Sequence, residues 1–199
     1  MNTTVTRYTK TAIWLHWIVA IVMIFMLFFG EDLIRVPRGG SLGGWQPTAH
    51  ASWGVVVLLL AVARLLWRIG HKPPALPQST RRWEAVLAHV THFGLYALMI
   101  AIPVFGLLAL IPYGATRTDV DQVVFFNLFS LAFMPNLGDW TMSAHELLGN
   151  IAKILVILHI VAALKHQFWD KDGLLSRMRP MCLPKGRRPY SVRSNRRTK

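Results

Sequence analysis

Four long apolar blocks constrain this chain more than any other feature of its sequence. They occupy residues 12–29, 49–67, 85–111 and 145–164. A helix needs about 20 predominantly apolar residues to cross the hydrocarbon core of a bilayer. Only 16% of the 199 residues are charged, whereas a soluble domain usually carries about 25%. The sequence therefore predicts an all-α fold: an integral membrane four-helix bundle whose spans contact membrane lipid.

The charged residues predict how the spans are oriented. When the segments outside the spans are assigned to alternate sides, and Arg64 at the end of the second span is counted with the loop that follows it, one side carries a net charge of +15 and the other −2. Basic residues accumulate on the cytoplasmic side of a membrane, so both termini are expected in the cytoplasm. This distribution explains the basic balance without a nucleic-acid partner. We expect one four-span domain over residues 1–180 and a basic, disordered cytoplasmic tail over residues 181–199. An apolar stretch at 123–135 is expected to form a helix in the outer membrane interface.

Histidines are the residues within the spans that bear chemistry. An ionisable side chain inside a membrane is costly and marks a functional site by default. The second and fourth spans each carry one histidine near the outer end, and the remaining span histidines lie at an inner level. The six are His16, His50, His89, His92, His145 and His159.

The spacing of these histidines predicts two sites at two depths. His145 and His159 are 14 residues apart, which places them about 40° from the same helix face and roughly 21 Å apart along the axis. His50 and His145 lie at one level and predict an outer pair. At the inner level, His159 has three possible partners, which the spacing does not separate. These are His16, His89 and His92.

Two bis-histidine sites stacked across a membrane are typical of two b-type haems, because imidazole ligates the iron while the apolar macrocycle lies between apolar helices. Arg64 lies 14 residues after His50; it is a candidate partner for a haem propionate, and equally a basic residue at the cytoplasmic interface. A di-iron carboxylate site is disfavoured because Glu146 is the only glutamate in the spans. Singly, each histidine is also explained as a hydrogen-bonded packing residue. Lys153, near mid-membrane, could pair with Glu146, a haem edge or a quinone headgroup.

The sequence resembles the prokaryotic cytochrome b-561 family over roughly residues 5–182, through motifs that are specific jointly and weak singly. The matching stretches are Arg7–Trp17 (RYTKTAIWLHW), His50, Val62–Arg68 (VARLLWR), Leu87–His92 (LAHVTH), His145–Asn150 (HELLGN), His159 and His166–Asp172 (HQFWDKD). The resemblance implies that His16 and His159 ligate the inner haem and that His50 and His145 ligate the outer one. His89 and His92 would then line the inner haem or a quinone site.

The resemblance implies a multi-pass protein of the bacterial inner membrane. Its function would be electron transfer through two b haems between a periplasmic-side donor, which superoxide could be, and membrane quinone such as ubiquinone. As an enzyme it would be a quinone-linked oxidoreductase. The first alternative is a haem-bearing membrane anchor subunit that docks a redox partner protein. The second is a non-redox transporter or scaffold. The sequence leaves the oligomeric state and the physiological donor open.

Overall fold

Four long helices, one for each apolar block, make up most of the structure. The computed structural model describes residues 7–32, 45–77, 80–109, 124–126, 128–130 and 137–180. The helices are α1 (Lys10–Phe29), α2 (Trp45–Gly70), α3 (Arg82–Leu108) and α4 (Trp140–Lys165). Each contains a stretch long and apolar enough to cross a membrane. The predicted four-helix architecture is confirmed, and apart from one two-stranded hairpin the regular structure of the described residues is helical. The expected tail at 181–199 lies outside them.

Local side chains cap the first turns of two of the helices. Thr9 precedes α1, and its Oγ1 accepts a hydrogen bond from Ala12 N at 3.2 Å. At the start of α3, Glu84 Oε2 accepts from Arg81 N at 3.1 Å. These contacts satisfy amide groups that the first turn of a helix leaves without an intrahelical partner. The starts of α1 and α3 are therefore stabilised by side chains of their own first turns.

The helices pack in chain order around a narrow core. Consecutive helices are neighbours, and α1 contacts α4 over a shorter stretch than it contacts α2. Small residues such as Ala61 and Ala152 are fully buried, while large apolar side chains such as Phe93 lie 77% exposed on the outside. Small residues allow helices to approach closely in a membrane. The core cluster consists of Val19, Met23, Leu27, Val57, Ala61, Leu98, Met99 and Ala152.

A short hairpin replaces part of the interfacial helix expected at residues 123–135. Strands β1 (Val124–Phe125) and β2 (Phe129–Ser130) pair antiparallel. Phe126 turns the chain with a φ of 42° and donates its backbone N–H to Ser52 Oγ at 2.9 Å. The expected helix is wrong for the described residues here, because a run of valine and phenylalanine also suits strand pairing. Residues 123, 127 and 131–135 lie outside the described part of the chain.

The segment after α4 folds back across the ends of the other helices. It continues as a π-helical turn (His166–Asp170) and a 3₁₀ turn (Leu175–Met178). Trp17 Nε1 donates to Met178 O at 2.8 Å, and Arg177 Nη1 donates to Ala75 O at 2.5 Å. These bonds tie the segment to α1 and to the chain that follows α2, at the end of the bundle where α1 begins.

Candidate haem sites

The structure brings five of the six span histidines together in two groups at different depths. His50 and His145 form the first group, which we call the His50 site. The second group, the His159 site, consists of His16, His92 and His159. The rings of each group come from different helices, so each group is created by the tertiary packing of the bundle.

In the His50 site, α2 and α4 direct two imidazoles towards each other. The ring centroids of His50 and His145 are 6.0 Å apart, and the ring planes are 72° apart. His50 Nδ1 lies 2.9 Å from Gly30 O, and His145 Nδ1 lies 2.8 Å from Ile102 O. With the Nδ1 protons donated to these carbonyls, Nε2 of each ring keeps its lone pair for a metal. A ligating histidine typically has this arrangement, because the second bond fixes its tautomer and orientation.

The spacing of the rings fits one iron ion between them. Two imidazole nitrogens, each roughly 2 Å from a shared metal, lie about 4 Å apart, and adding the ring radii brings the centroids to about 6 Å. The His50–His145 separation of 6.0 Å matches this value. The donor set suits haem iron, which histidine ligates axially. The residues present at the His50 site therefore fit a haem.

In the His159 site, the ring of His159 has two neighbours. Its centroid is 6.4 Å from that of His16 on α1 and 5.4 Å from that of His92 on α3. The His16–His159 distance also fits two axial ligands of one iron. His92 approaches His159 more closely than this spacing requires. Of the three residues that the sequence left open as partners of His159, the structure therefore places two, His16 and His92, beside its ring.

Arg64 carries a buried hydrogen-bond donor without a protein acceptor. Its Nε donates to the Tyr96 hydroxyl at 3.0 Å, whereas Nη1 is buried and has no partner among the described residues. A buried donor on a cation that lacks an acceptor is costly. An anion beside Nη1 would satisfy it, and a haem propionate is such an anion. The residues on this side of the His159 site therefore also fit a haem.

Tyr96 is a site residue that the sequence analysis missed. It lies one helical turn after His92 on α3, so the four-residue spacing from a span histidine was the available signal. Together with Arg64 it lines an open groove at the end of the bundle where α1 begins. The other lining residues are Tyr8, Ala12, Leu15, Trp67, Arg68, His71, Pro73 and Met178.

His89 and Lys153 lie apart from both groups of rings. His89 is exposed, and its Nδ1 lies 2.6 Å from Ala85 O in its own helix. Lys153 Nζ lies 3.7 Å from Glu31 Oε1 at the end of α1 and donates to Asn150 Oδ1 at 3.5 Å. Lys153 therefore pairs with Glu31, which was not among the partners that the sequence analysis proposed for it.

Comparison with known proteins matches the whole described bundle. A family model described as prokaryotic cytochrome b561 matches residues 7–181. A probable superoxide oxidase CybB of Yersinia pestis is 29% identical over 181 residues, which cover 87% of this chain and 96% of the relative. Cytochrome b561 homolog 2 of Escherichia coli is 29% identical, covering 86% of this chain and 90% of that protein. Cytochrome b562 of Cereibacter sphaeroides is 28% identical, covering 86% and 94%.

Proposed function

This chain belongs to the prokaryotic cytochrome b561 family, and from that premise we propose that it carries electrons across a bacterial inner membrane with two b-type haems. Membership makes it a multi-pass bacterial membrane protein that binds b-type haem and takes part in electron transfer. The number of haems, their ligands and the donor and acceptor are our proposal. The observation that carries it is the pairing of imidazoles at two depths with separations of 6.0 Å and 6.4 Å.

We assign His50 and His145 as the residues that would hold one haem, and His16 and His159 as those that would hold the other. The bonds from Nδ1 to Gly30 O and Ile102 O support the first assignment. The matching ring separation supports the second. With His16 as the ligand, His92 lines the second haem, because its ring lies beside that of His159 with the centroids 5.4 Å apart.

The protein supplies orientation, a dry environment and charge compensation at these sites. A bound b-type haem supplies a one-electron couple between ferric and ferrous iron. The backbone carbonyls hold the His50 and His145 rings, the apolar helices exclude water, and Arg64 provides a buried donor for a carboxylate. Imidazole pairs at two levels of one helix bundle suit transfer from one side of a membrane to the other.

The charge distribution supports our choice of which end of the bundle faces the cytoplasm. We place both termini, and with them the groove beside Arg64, on the cytoplasmic side, because the segments at that end carry the excess of basic residues. The His50 site then faces the periplasm, and a haem held there would be the one nearer to an electron donor on that side. Superoxide is one donor, a choice supported by the name of the Yersinia pestis relative, and membrane quinone is the acceptor. Quinone reduction by the purified chain alone distinguishes this function from that of an anchor subunit that requires a partner protein.

The test is a haem-to-protein ratio with reduced-minus-oxidised spectra on the chain purified in detergent. We expect two low-spin b haems per chain. His50→Ala or His145→Ala removes one of them, and His16→Ala or His159→Ala removes the other, since each haem depends on both of its ligands. His89→Ala is the matched control and retains both haems.

Two outcomes contradict the proposal. A wild-type chain without haem, expressed with adequate haem supply, would remove the mechanism altogether. Loss of the second haem from His92→Ala together with its retention in His16→Ala would replace His16 by His92 as the ligand.

A further inference from the structure

The phenol of Tyr96 holds the side chain of Arg64 in place. The Tyr96 hydroxyl accepts the hydrogen bond from Arg64 Nε at 3.0 Å. The guanidinium carbon of Arg64 also lies 5.7 Å from the centre of the Tyr96 ring, and that of Arg68 lies 5.6 Å from it. Cations within about 6 Å of an aromatic face are attracted to it. One tyrosine on α3 therefore fixes the position of two arginines on α2.

The hydrogen bond to Tyr96 leaves a second donor nitrogen of Arg64 unsatisfied among the described residues. Nε is satisfied by the phenol, while Nη1 is buried without a partner among the described residues. The groove that Arg64 and Tyr96 line is bounded on the α1 side by Leu15, the residue before His16. A carboxylate at the edge of a haem ligated by His16 and His159 is an anion of suitable charge for this position.

We propose that Tyr96 is a positioning residue which holds Arg64 against a propionate of the haem at the His159 site and thereby raises the reduction potential of that haem. The inference rests on the proposed function. A fixed positive charge close to the iron favours the ferrous state, which carries one positive charge fewer than the ferric state. Tyr96 acts through Arg64, because the hydroxyl is the acceptor that keeps the guanidinium oriented.

Potentiometric titration of Tyr96→Phe, in the full-length chain with both haems bound, tests the proposal. Phenylalanine keeps the ring beneath the arginines and removes only the hydroxyl. We expect the midpoint of the haem at the His159 site to fall, while the midpoint of the haem at the His50 site stays unchanged as an internal reference. Tyr8→Phe is the matched control, because Tyr8 lines the same groove but does not accept the Arg64 Nε–H. It should leave both midpoints at their wild-type values.

Arg64→Leu shows whether Tyr96 acts through the arginine. Its shift should have the same sign as that of Tyr96→Phe, and the double variant should shift no further than Arg64→Leu alone. Effects that pass through one shared contact are not additive. Additive shifts in the double variant would overturn the proposal, because Tyr96 would then act independently of Arg64.

The outcomes separate this inference from the function on which it rests. A wild-type chain without haem overturns both. Two haems in the wild type, with both midpoints unchanged in Tyr96→Phe, overturn only the role of Tyr96. Equal falls of both midpoints also overturn it, because a general loosening of the bundle affects both sites.

Discussion

Gly106 allows the His145 ring to lie against α3. A Cβ atom built on Gly106 would lie 2.9 Å from both Cε1 and Nδ1 of His145. Distances this short do not occur for real side chains, so the ring and an alanine cannot both keep these positions. The same ring donates Nδ1–H to Ile102 O at 2.8 Å. The absence of a side chain at Gly106 is therefore part of what orients a proposed haem ligand.

Gly106→Ala should displace the His145 ring and weaken haem binding at the His50 site. We expect a loss of affinity of about 10- to 100-fold, the usual effect of disturbing the contacts that orient a ligating histidine. Haem titration of the purified chain, followed by the spectrum of each haem, measures it. Gly149→Ala is the matched control, since nothing lies within 4 Å of a Cβ built at Gly149. Unchanged affinity in Gly106→Ala would contradict the proposed role of His145.

At the residue scale, helical geometry allowed the sequence to predict the depth of each histidine but not which side chains contact each other across helices. Equal depth was sufficient to pair His50 with His145, because both lie near the beginning of their helices. It did not separate the candidates beside His159, since rotation about each helix axis is set by packing. The carbonyl acceptors Gly30 O and Ile102 O had no sequence signal, because every residue carries a carbonyl.

At the scale of elements, Lys153 and Glu31 join α1 to α4, the pair of neighbouring helices with the shorter contact. The two charged atoms are 3.7 Å apart, and the side chains are 31% and 64% exposed. An exposed pair of this kind contributes about 0–1 kcal/mol. The position of Lys153 within α4 is thus explained by its long side chain, which reaches Glu31 just beyond the end of α1. The hairpin formed by β1 and β2 was not predicted from the sequence, because a run of apolar and aromatic residues is compatible with both a helix and a strand.

Lys153→Met should change the free energy of unfolding by no more than about 1 kcal/mol, because it removes a weak ion pair and also a charge from an apolar span. Thermal unfolding in detergent measures the change, and haem content should stay at the wild-type value. Lys153→Glu is the informative counterpart, since it places a second negative charge beside Glu31 and should lower the melting temperature. Loss of a haem from Lys153→Met would show that Lys153 belongs to a haem site.

At the scale of the whole molecule, the distribution of side chains is suited to lipid. Large apolar residues such as Ile69 and Phe93 are 72% and 77% exposed, an arrangement that would promote aggregation in water. In a bilayer the same residues contact acyl chains, while buried small residues hold the helices together. Length and hydropathy sufficed to predict this architecture, because only helices or closed barrels satisfy their backbone hydrogen bonds in lipid.

The orientation of the molecule determines which proposed haem meets the donor, and the single cysteine of the chain provides a way to measure it. Cys182 follows the four-helix bundle, so we expect a membrane-impermeant maleimide to label it in inverted vesicles and not in intact spheroplasts. A Cys182→Ser, Leu137→Cys variant is the matched control for the opposite side, because Leu137 precedes α4 and is 49% exposed. It should be labelled in spheroplasts. The reverse pattern in both proteins would place the His50 site towards the cytoplasm and exclude a periplasmic donor for it.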